Sequence, residues 1–341
     1  MNPHVLQVVY SLLKPFLFRY DAERVHEKAI NIIQRTRNYS LPIYPSLSVT
    51  VFNHTFSSPL LLASGFDKNG LLVDCISSFG FAGEVVGSIT ARPWLGNEKP
   101  RLFRLPKEKS LLNRMGLNND GAEIIGKRLE DKTGYAISIA KTPDPKLIGD
   151  KAVEDYVYSY RLLKHLGLFT EINISCPNTE DGKTFEDQKS LNILLDALLE
   201  DGKGRPLVIK ISPDINSETL HDIVQASEER VDGYVATNTC RVEHPQIGRG
   251  GLSGKKLQSV SLGVLRRLRS QTSKPIIYSG GIFTGGDALL ALSLGANLLE
   301  AYTGFIYRGP TFAMKVNEEL DFLLLAQGYS SINEMKEEQT S

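Results

Sequence analysis

Lys210 stands between Ile209 and Ile211 inside the apolar run Leu207–Ile211. A buried ammonium is costly unless something negative or polar meets it, so a ligand or partner is expected there. Cys176 lies in Asn173-Ile174-Ser175-Cys176-Pro177-Asn178. A lone cysteine is commonly a small buried hydrophobe, but a thiol also needs only a modest downward shift to accept a proton near neutral pH. Both readings stand at this point. Gly280-Gly281 and Thr303-Gly304 each follow an apolar run, with Gly254 earlier in the chain. They would present bare backbone amides suited to a phosphate, or they are simply tight turns. Asn113, Asn178 and Asn238 fall in loops, either as turn residues or as amides for a ligand rich in carbonyls and N–H groups. Lys68, in Ser64-Gly65-Phe66-Asp67-Lys68-Asn69-Gly70, is a surface charge or an anion ligand.

Several chemistries lose support. Cys75, Cys176 and Cys240 show no paired spacing, and the six histidines fall in no H-x-x-x-H or H-E-x-x-H arrangement. No metal is expected, and the cysteine usage fits a reducing cytoplasm. The 39 basic and 39 acidic residues balance, so no long-range field recruits nucleic acid.

The elements that must position these residues follow a rhythm. Short β-rich runs occur at 60–64, 84–90, 135–140, 171–175, 207–211, 233–237, 275–279 and 297–302, with helical periodicity at 152–166, 191–199, 218–229, 257–268 and 287–294. Strand then helix, repeated eight times, is the pattern of an α/β fold of the (β/α)8 TIM-barrel type. In such a barrel the C-terminal strand ends share one mouth, and Ser64, Ser88, Ser138, Asn173, Lys210, Thr237, Ser279 and Tyr302 all sit at or near those ends. A strand pair is expected at 47–52 and 54–56, turning at Asn53.

Residues 1–40 read as a separate helical hairpin and 41–341 as the barrel domain. Val5, Leu6, Val8, Val9, Leu12, Leu13, Phe16 and Leu17 recur at helical spacing, interrupted by Gln7, Lys14 and Pro15. The run is too broken to span a bilayer, and it lacks the leader and cleavage pattern of a secretory signal. A second helix is expected from the cap Asp21 through Val25, Ala29, Ile30 and Ile33. The hairpin either packs on the barrel or rests in a membrane surface, shaping a tunnel for a lipid-soluble molecule.

Over nearly the whole chain the sequence resembles the dihydroorotate dehydrogenase family. The stretches S-G-F-D-K-N-G, G-N-E-K-P-R-L-F-R-L-P, N-R-M-G-L-N-N, N-I-S-C-P-N-T, A-T-N-T, G-G-L-S-G-K-K-L, S-G-G-I and Y-T-G-F-I-Y-R-G-P are similar to its signature segments, in the same order. The resemblance implies FMN held by Ser64, Gly65, Phe66, Asp67, Lys68, Ser88, Ser138, Asn173 and Lys210, and by Thr237, Gly254, Gly281, Tyr302 and Thr303. It implies dihydroorotate held by Lys68, Asn113, Arg114, Met115, Gly116, Leu117, Asn173, Asn178, Asn238 and Thr239. Oxidising dihydroorotate to orotate removes a proton from C5 and a hydride from C6, so a base faces the flavin across the substrate. Cys176 matches the base position, and Lys210 would neutralise charge gathering near flavin N1 and O2.

On the electron acceptor the resemblance divides. The extension, including F-R-Y-D-A-E-R-V-H-E, is similar to the membrane-associated class that passes electrons to a quinone, whereas Cys176 resembles the cytosolic classes that use fumarate or NAD. Ser138 replaces a usual asparagine, and the loop 179–187, the expected lid, departs from the quinone-class pattern. A whole structural element outweighs one hydroxyl-to-thiol exchange, so the expectation is a quinone enzyme. It would be monomeric and peripheral on the cytoplasmic face of the cell membrane. Competing readings are an aldolase-like barrel with a Schiff base on Lys210 and a non-catalytic binder of a phosphorylated ligand.

Overall fold

The computed structural model describes residues 2–36, 39–175 and 185–340 of the chain. Cys176, Asn178 and most of the expected lid lie outside the described residues. Eight parallel strands close a barrel: β1 (Leu60–Leu62), β2 (Glu84–Ile89), β3 (Tyr135–Ile139), β4 (Thr170–Asn173), β5 (Leu207–Ile211), β6 (Gly233–Ala236), β7 (Ile276–Ser279) and β8 (Leu298–Ala301). The TIM-barrel expectation is borne out. Several strands stop one or two residues short of the sequence expectation, because polar residues such as Ser64, Ser175 and Tyr302 leave the ladder at the mouth.

The rhythm fails in one crossover. Between β1 and β2 the chain makes only the 3-10 turn Ile76–Phe79, while the helices Ala122–Leu129 and Phe312–Ala326 were not foreseen. Elsewhere side chains fix the helix starts: Asp187 accepts from Ser190 N at 2.9 Å, Asn216 accepts from Thr219 N at 2.7 Å, and Thr284 with Asp287 forms a capping box. The pair Val49–Val51 and His54–Phe56 forms as expected. Its turn residues Phe52 and Asn53 both lie at positive φ, 55° and 58°, as a type I′ turn requires.

A second sheet was not anticipated. Leu102–Leu105, Ser110–Asn113, Gly248–Gly254 and Cys240–His244 pair antiparallel. Their residues Leu102, Asn113, Gly251 and Ser253 line the same cavity as the barrel strand ends, so the sheet roofs the mouth.

The extension folds as two helices, α1 (Pro3–Leu17) and α2 (Ala22–Ile33), with Asn2 and Asp21 as their caps. Contact with the barrel through α1 is largely polar: Gln7 Nε2 donates to Arg308 O at 3.0 Å, Lys14 Nζ to Tyr307 O at 2.6 Å, and Tyr10 to Ile306 O. Its apolar stripe is left open, with Val5, Val8, Val9, Leu12, Leu13 and Phe16 between 46% and 70% exposed. Helix α2 is tied down by a buried pair. Arg101 Nε and Nη2 donate to the Glu23 carboxylate at 3.0 and 2.7 Å, while Nη1 holds Leu95 O and Asn97 O. No helix among the described residues is long and apolar enough to cross a membrane.

Glu84 is a liability within the barrel wall. It is buried, and neither carboxylate oxygen has a partner among the described residues. Burial, reinforced by the charges of Asp67 and Asp74, pushes its carboxyl well above the usual range. An acid raised in the folded state binds its proton more tightly there than in the unfolded chain, so stability falls as pH rises above the ordinary carboxylate range. Glu84→Met is therefore expected to stabilise the protein by about 1–3 kcal/mol near pH 8 and by less near pH 5. Denaturation curves at the two pH values check this.

Candidate active site

At the floor of the mouth, β5 places Lys210 where three side chains converge. Its Nζ lies 3.1 Å from Ser64 Oγ, 3.1 Å from Glu171 Oε2 and 3.0 Å from Glu300 Oε2. Ser64 Oγ in turn donates to Glu171 Oε1 at 3.1 Å. The expected negative partners of Lys210 are thus protein carboxylates from β4 and β8, both fully buried. Burial alone would lower the ammonium, but Glu171 and Glu300 together hold it well above the usual lysine value. A Schiff-base lysine must shed its proton to attack, so this arrangement opposes the aldolase reading. For Glu300 the balance falls the other way: burial first, against the pull of Lys210 and with the push of Glu171, raises it to about 7. Neither acid was singled out from the sequence. The signal was the one that exposed Lys210, a charge inside an apolar strand.

The walls are a polar chain. Asn238 Nδ2 donates to Asn173 Oδ1 at 3.1 Å and to Ser175 Oγ at 3.0 Å, and Asn173 Nδ2 donates to Ser88 Oγ at 3.3 Å. Ser138 sits behind this chain, 2.9 Å from Ser88 Oγ and fully buried, so it positions Ser88 and does not itself line the cavity. Thr237 shares a 2.7 Å hydrogen bond with Ser261, and Thr239 N donates to Asn238 Oδ1 at 2.8 Å. On the opposite side Lys68 Nζ donates to Gly65 O at 2.8 Å. Burial lowers Lys68 to about 8, moderated by Glu23 and Asp67. Lost hydration weakens the hold of this lysine on its proton, and an incoming anion would restore it.

At the roof, Asn113 Nδ2 donates to Gly251 O at 3.1 Å, and Met115, Gly116 and Leu117 face the cavity. Arg114 points elsewhere, to Ile247 O at 2.9 Å and Pro100 O at 3.3 Å. Phe66 and Asp67 also lie outside the lining. The Phe66 ring packs on Tyr302 at 5.3 Å, and the Asp67 carboxylate caps Asn69 N and Leu72 N at 3.1 and 2.6 Å.

The remaining edge is built of glycine and hydroxyls. Gly254, Gly280, Gly281 and Gly304 line it with Thr303, whose hydroxyl is 2.9 Å from Ser253 Oγ. A Cβ on Gly254 would come within 2.5 Å of Lys109 O, and one on Gly281 within 2.8 Å of Gly254 O. Close packing forbids side chains there, so the edge exposes backbone to whatever the cavity holds. Among the described residues no group of His, Cys, Asp and Glu is placed to hold a metal ion.

Helix α2 reaches this site from outside. His26 Nε2 is 2.9 Å from Phe66 O, and its ring meets Phe66 edge-on at 4.8 Å. Burial, followed by the charge of Lys68, lowers His26 to about 3, so it is neutral. The contacts run from His26 to Phe66 to Tyr302, which lines the cavity.

A cavity with a buried cation at its floor, amide walls and a glycine edge suits a flat, hydrogen-bonding ring system carrying a phosphate. The comparisons agree. A family model described as dihydroorotate dehydrogenase matches residues 46–324. The chain is 35% identical to the "Dihydroorotate dehydrogenase (quinone)" of Natronomonas pharaonis, over 96% of this chain and 98% of that one. It is 37% identical to the protein of the same name from a Mycobacterium species, covering 95% and 97%. In structure it is similar to DHODH from Eimeria tenella in complex with ferulenol, with a TM-score of 0.85, 30% identity, and 92% and 94% of the two chains covered. Sequence and fold together place the chain in the dihydroorotate dehydrogenase family, flavin-dependent oxidoreductases that oxidise dihydroorotate to orotate in pyrimidine synthesis.

Proposed function

We propose that the flavin is FMN, that it occupies the cavity above Lys210, and that its electrons leave to a membrane quinone. The observation that carries this reading is the buried Lys210 facing a glycine edge across one cavity. Gly254, Gly281 and Thr303 would hold the phosphate, while Lys210, Ser64, Ser88, Asn173 and Thr237 would hold the ring. When bound, the flavin supplies the two-electron acceptor that dihydroorotate oxidation needs. Lys68 meets the substrate carboxylate, and Asn113, Asn173, Asn178 and Asn238 hold its ring amides, which fixes the orientation on which the rate depends. Cys176 takes the C5 proton. Lys210 keeps its proton throughout and offsets negative charge that gathers against it.

The quinone reading rests on the extension. The open stripe of α1 matches a helix lying in a membrane surface, and α2 carries the aromatic contacts from His26 to the cavity. The protein would be a monomer seated on the cytoplasmic face. Steady-state assays with a short-chain quinone, fumarate and NAD test the acceptor. Turnover with the quinone at least tenfold above the other two is expected; preference for fumarate or NAD would favour the class that Cys176 resembles.

A further inference from the structure

The acids around Lys210 outnumber it. Glu171 from β4 and Glu300 from β8 both touch one ammonium from β5, with the hydroxyl of Ser64, just after β1, on Lys210 and Glu171 and the Ser279 hydroxyl of β7 acting on Glu300. With both acids ionised the cluster carries a net negative charge in a fully buried place. Two carboxylate oxygens that share one nitrogen at 3.1 and 3.0 Å are no more than about 6 Å apart, within the range where like charges resist ionising together.

We propose that Glu171 and Glu300 hold one proton between them in step with the bound flavin, taking it up from solvent as the ring gains negative charge and releasing it when the electrons leave. This rests on the reading that the flavin lies in this cavity against Lys210. A new anion beside Lys210 competes with both carboxylates for the same cation, so the proton affinity of the pair rises. The coupling is reciprocal: a proton on the pair makes the flavin easier to reduce. The elevated value of Glu300 puts the exchange within reach of neutral pH. Glu300 and Lys210 line the cavity whereas Glu171 does not, so Glu300 is the acid that faces the ring directly. The step balances simply. Two electrons and a hydrogen nucleus pass from dihydroorotate to the flavin, while a separate solvent proton forms an O–H bond on a carboxylate and cancels one charge. Reoxidation breaks that bond and returns the proton.

The test is the midpoint potential of the purified flavoprotein titrated across pH, for the unmodified protein and for Glu300→Gln. Near neutrality the unmodified protein is expected to show an extra slope of about 30 mV per pH unit, the value for one further proton in a two-electron couple. Glu300→Gln should lose it, and Glu171→Gln should do the same. Parallel slopes in all three proteins overturn the proposal. Should neither variant fold, the reduced-minus-oxidised infrared spectrum of the unmodified protein decides: a protonated-carboxyl band that grows on reduction supports the pair, and its absence overturns it. A protein that retains no flavin fails the underlying reading instead, and its absorption spectrum shows this before any titration.

Discussion

Lys210→Met is expected to slow flavin reduction by dihydroorotate by about 10²–10³-fold, the usual effect of deleting one preorganised charge at a reacting centre. The variant removes the cation that Glu171 and Glu300 share. Breaking a buried ion cluster by removing a single partner also costs about 3–5 kcal/mol of stability. The sign of the pH dependence follows from the acids left behind. Without the ammonium the Glu300 carboxyl rises further, the folded state binds more protons than the unfolded one, and stability falls as pH climbs above the ordinary carboxylate range. The penalty is therefore larger at pH 8 than at pH 5. Adding Glu171→Gln and Glu300→Gln should recover most of the stability and none of the rate. Rapid mixing monitored by flavin absorbance, with denaturation curves at both pH values, checks all of this.

Glu23→Ala is the second large effect. Arg101 loses its bidentate partner while it remains buried and bound to Leu95 O and Asn97 O. A cost of about 3–5 kcal/mol is expected at neutral pH. Burial works against the Glu23 charge, but its hydrogen bonds to Arg101 and Lys99 outweigh it and hold the carboxyl below its ordinary value. The contribution of the pair is therefore fully present above the ordinary carboxylate range and is lost as pH falls through it. The damage should be local to the extension. Hydrogen exchange across residues 22–33 should quicken, and quinone-dependent turnover should fall further than flavin reduction by dihydroorotate. Equal losses in both half-reactions would show that α2 serves the barrel in general and not the exit of electrons.

The barrel was legible because parallel strands buried on both faces read as apolar runs, and their polar ends fall at one mouth. That logic located Ser64, Ser88, Asn173, Lys210, Thr237 and Tyr302 around one cavity. Strand position alone does not separate a residue that lines the cavity from one a layer behind, such as Ser138, and Arg114, expected from the resemblance, turns to Ile247 O and Pro100 O instead. The roofing sheet was hidden for a different reason. Gly248–Gly254 contains four glycines, a composition that argues against a strand, and only its pairing with 240–244 and 110–113 makes it one. The N-terminal stripe carried two readings because periodicity does not say which face docks. Gln7, Tyr10 and Lys14 dock α1, while Val5, Val8, Val9, Leu12, Leu13 and Phe16 stay open.

The most direct measurement is an anaerobic absorption scan of the purified protein before and after dihydroorotate is added, with the released chromophore then identified. A yellow protein is expected, one that gives up FMN in equal amount with the chain and bleaches on mixing with the substrate. A colourless protein, or a flavin colour that dihydroorotate leaves unchanged, would contradict it.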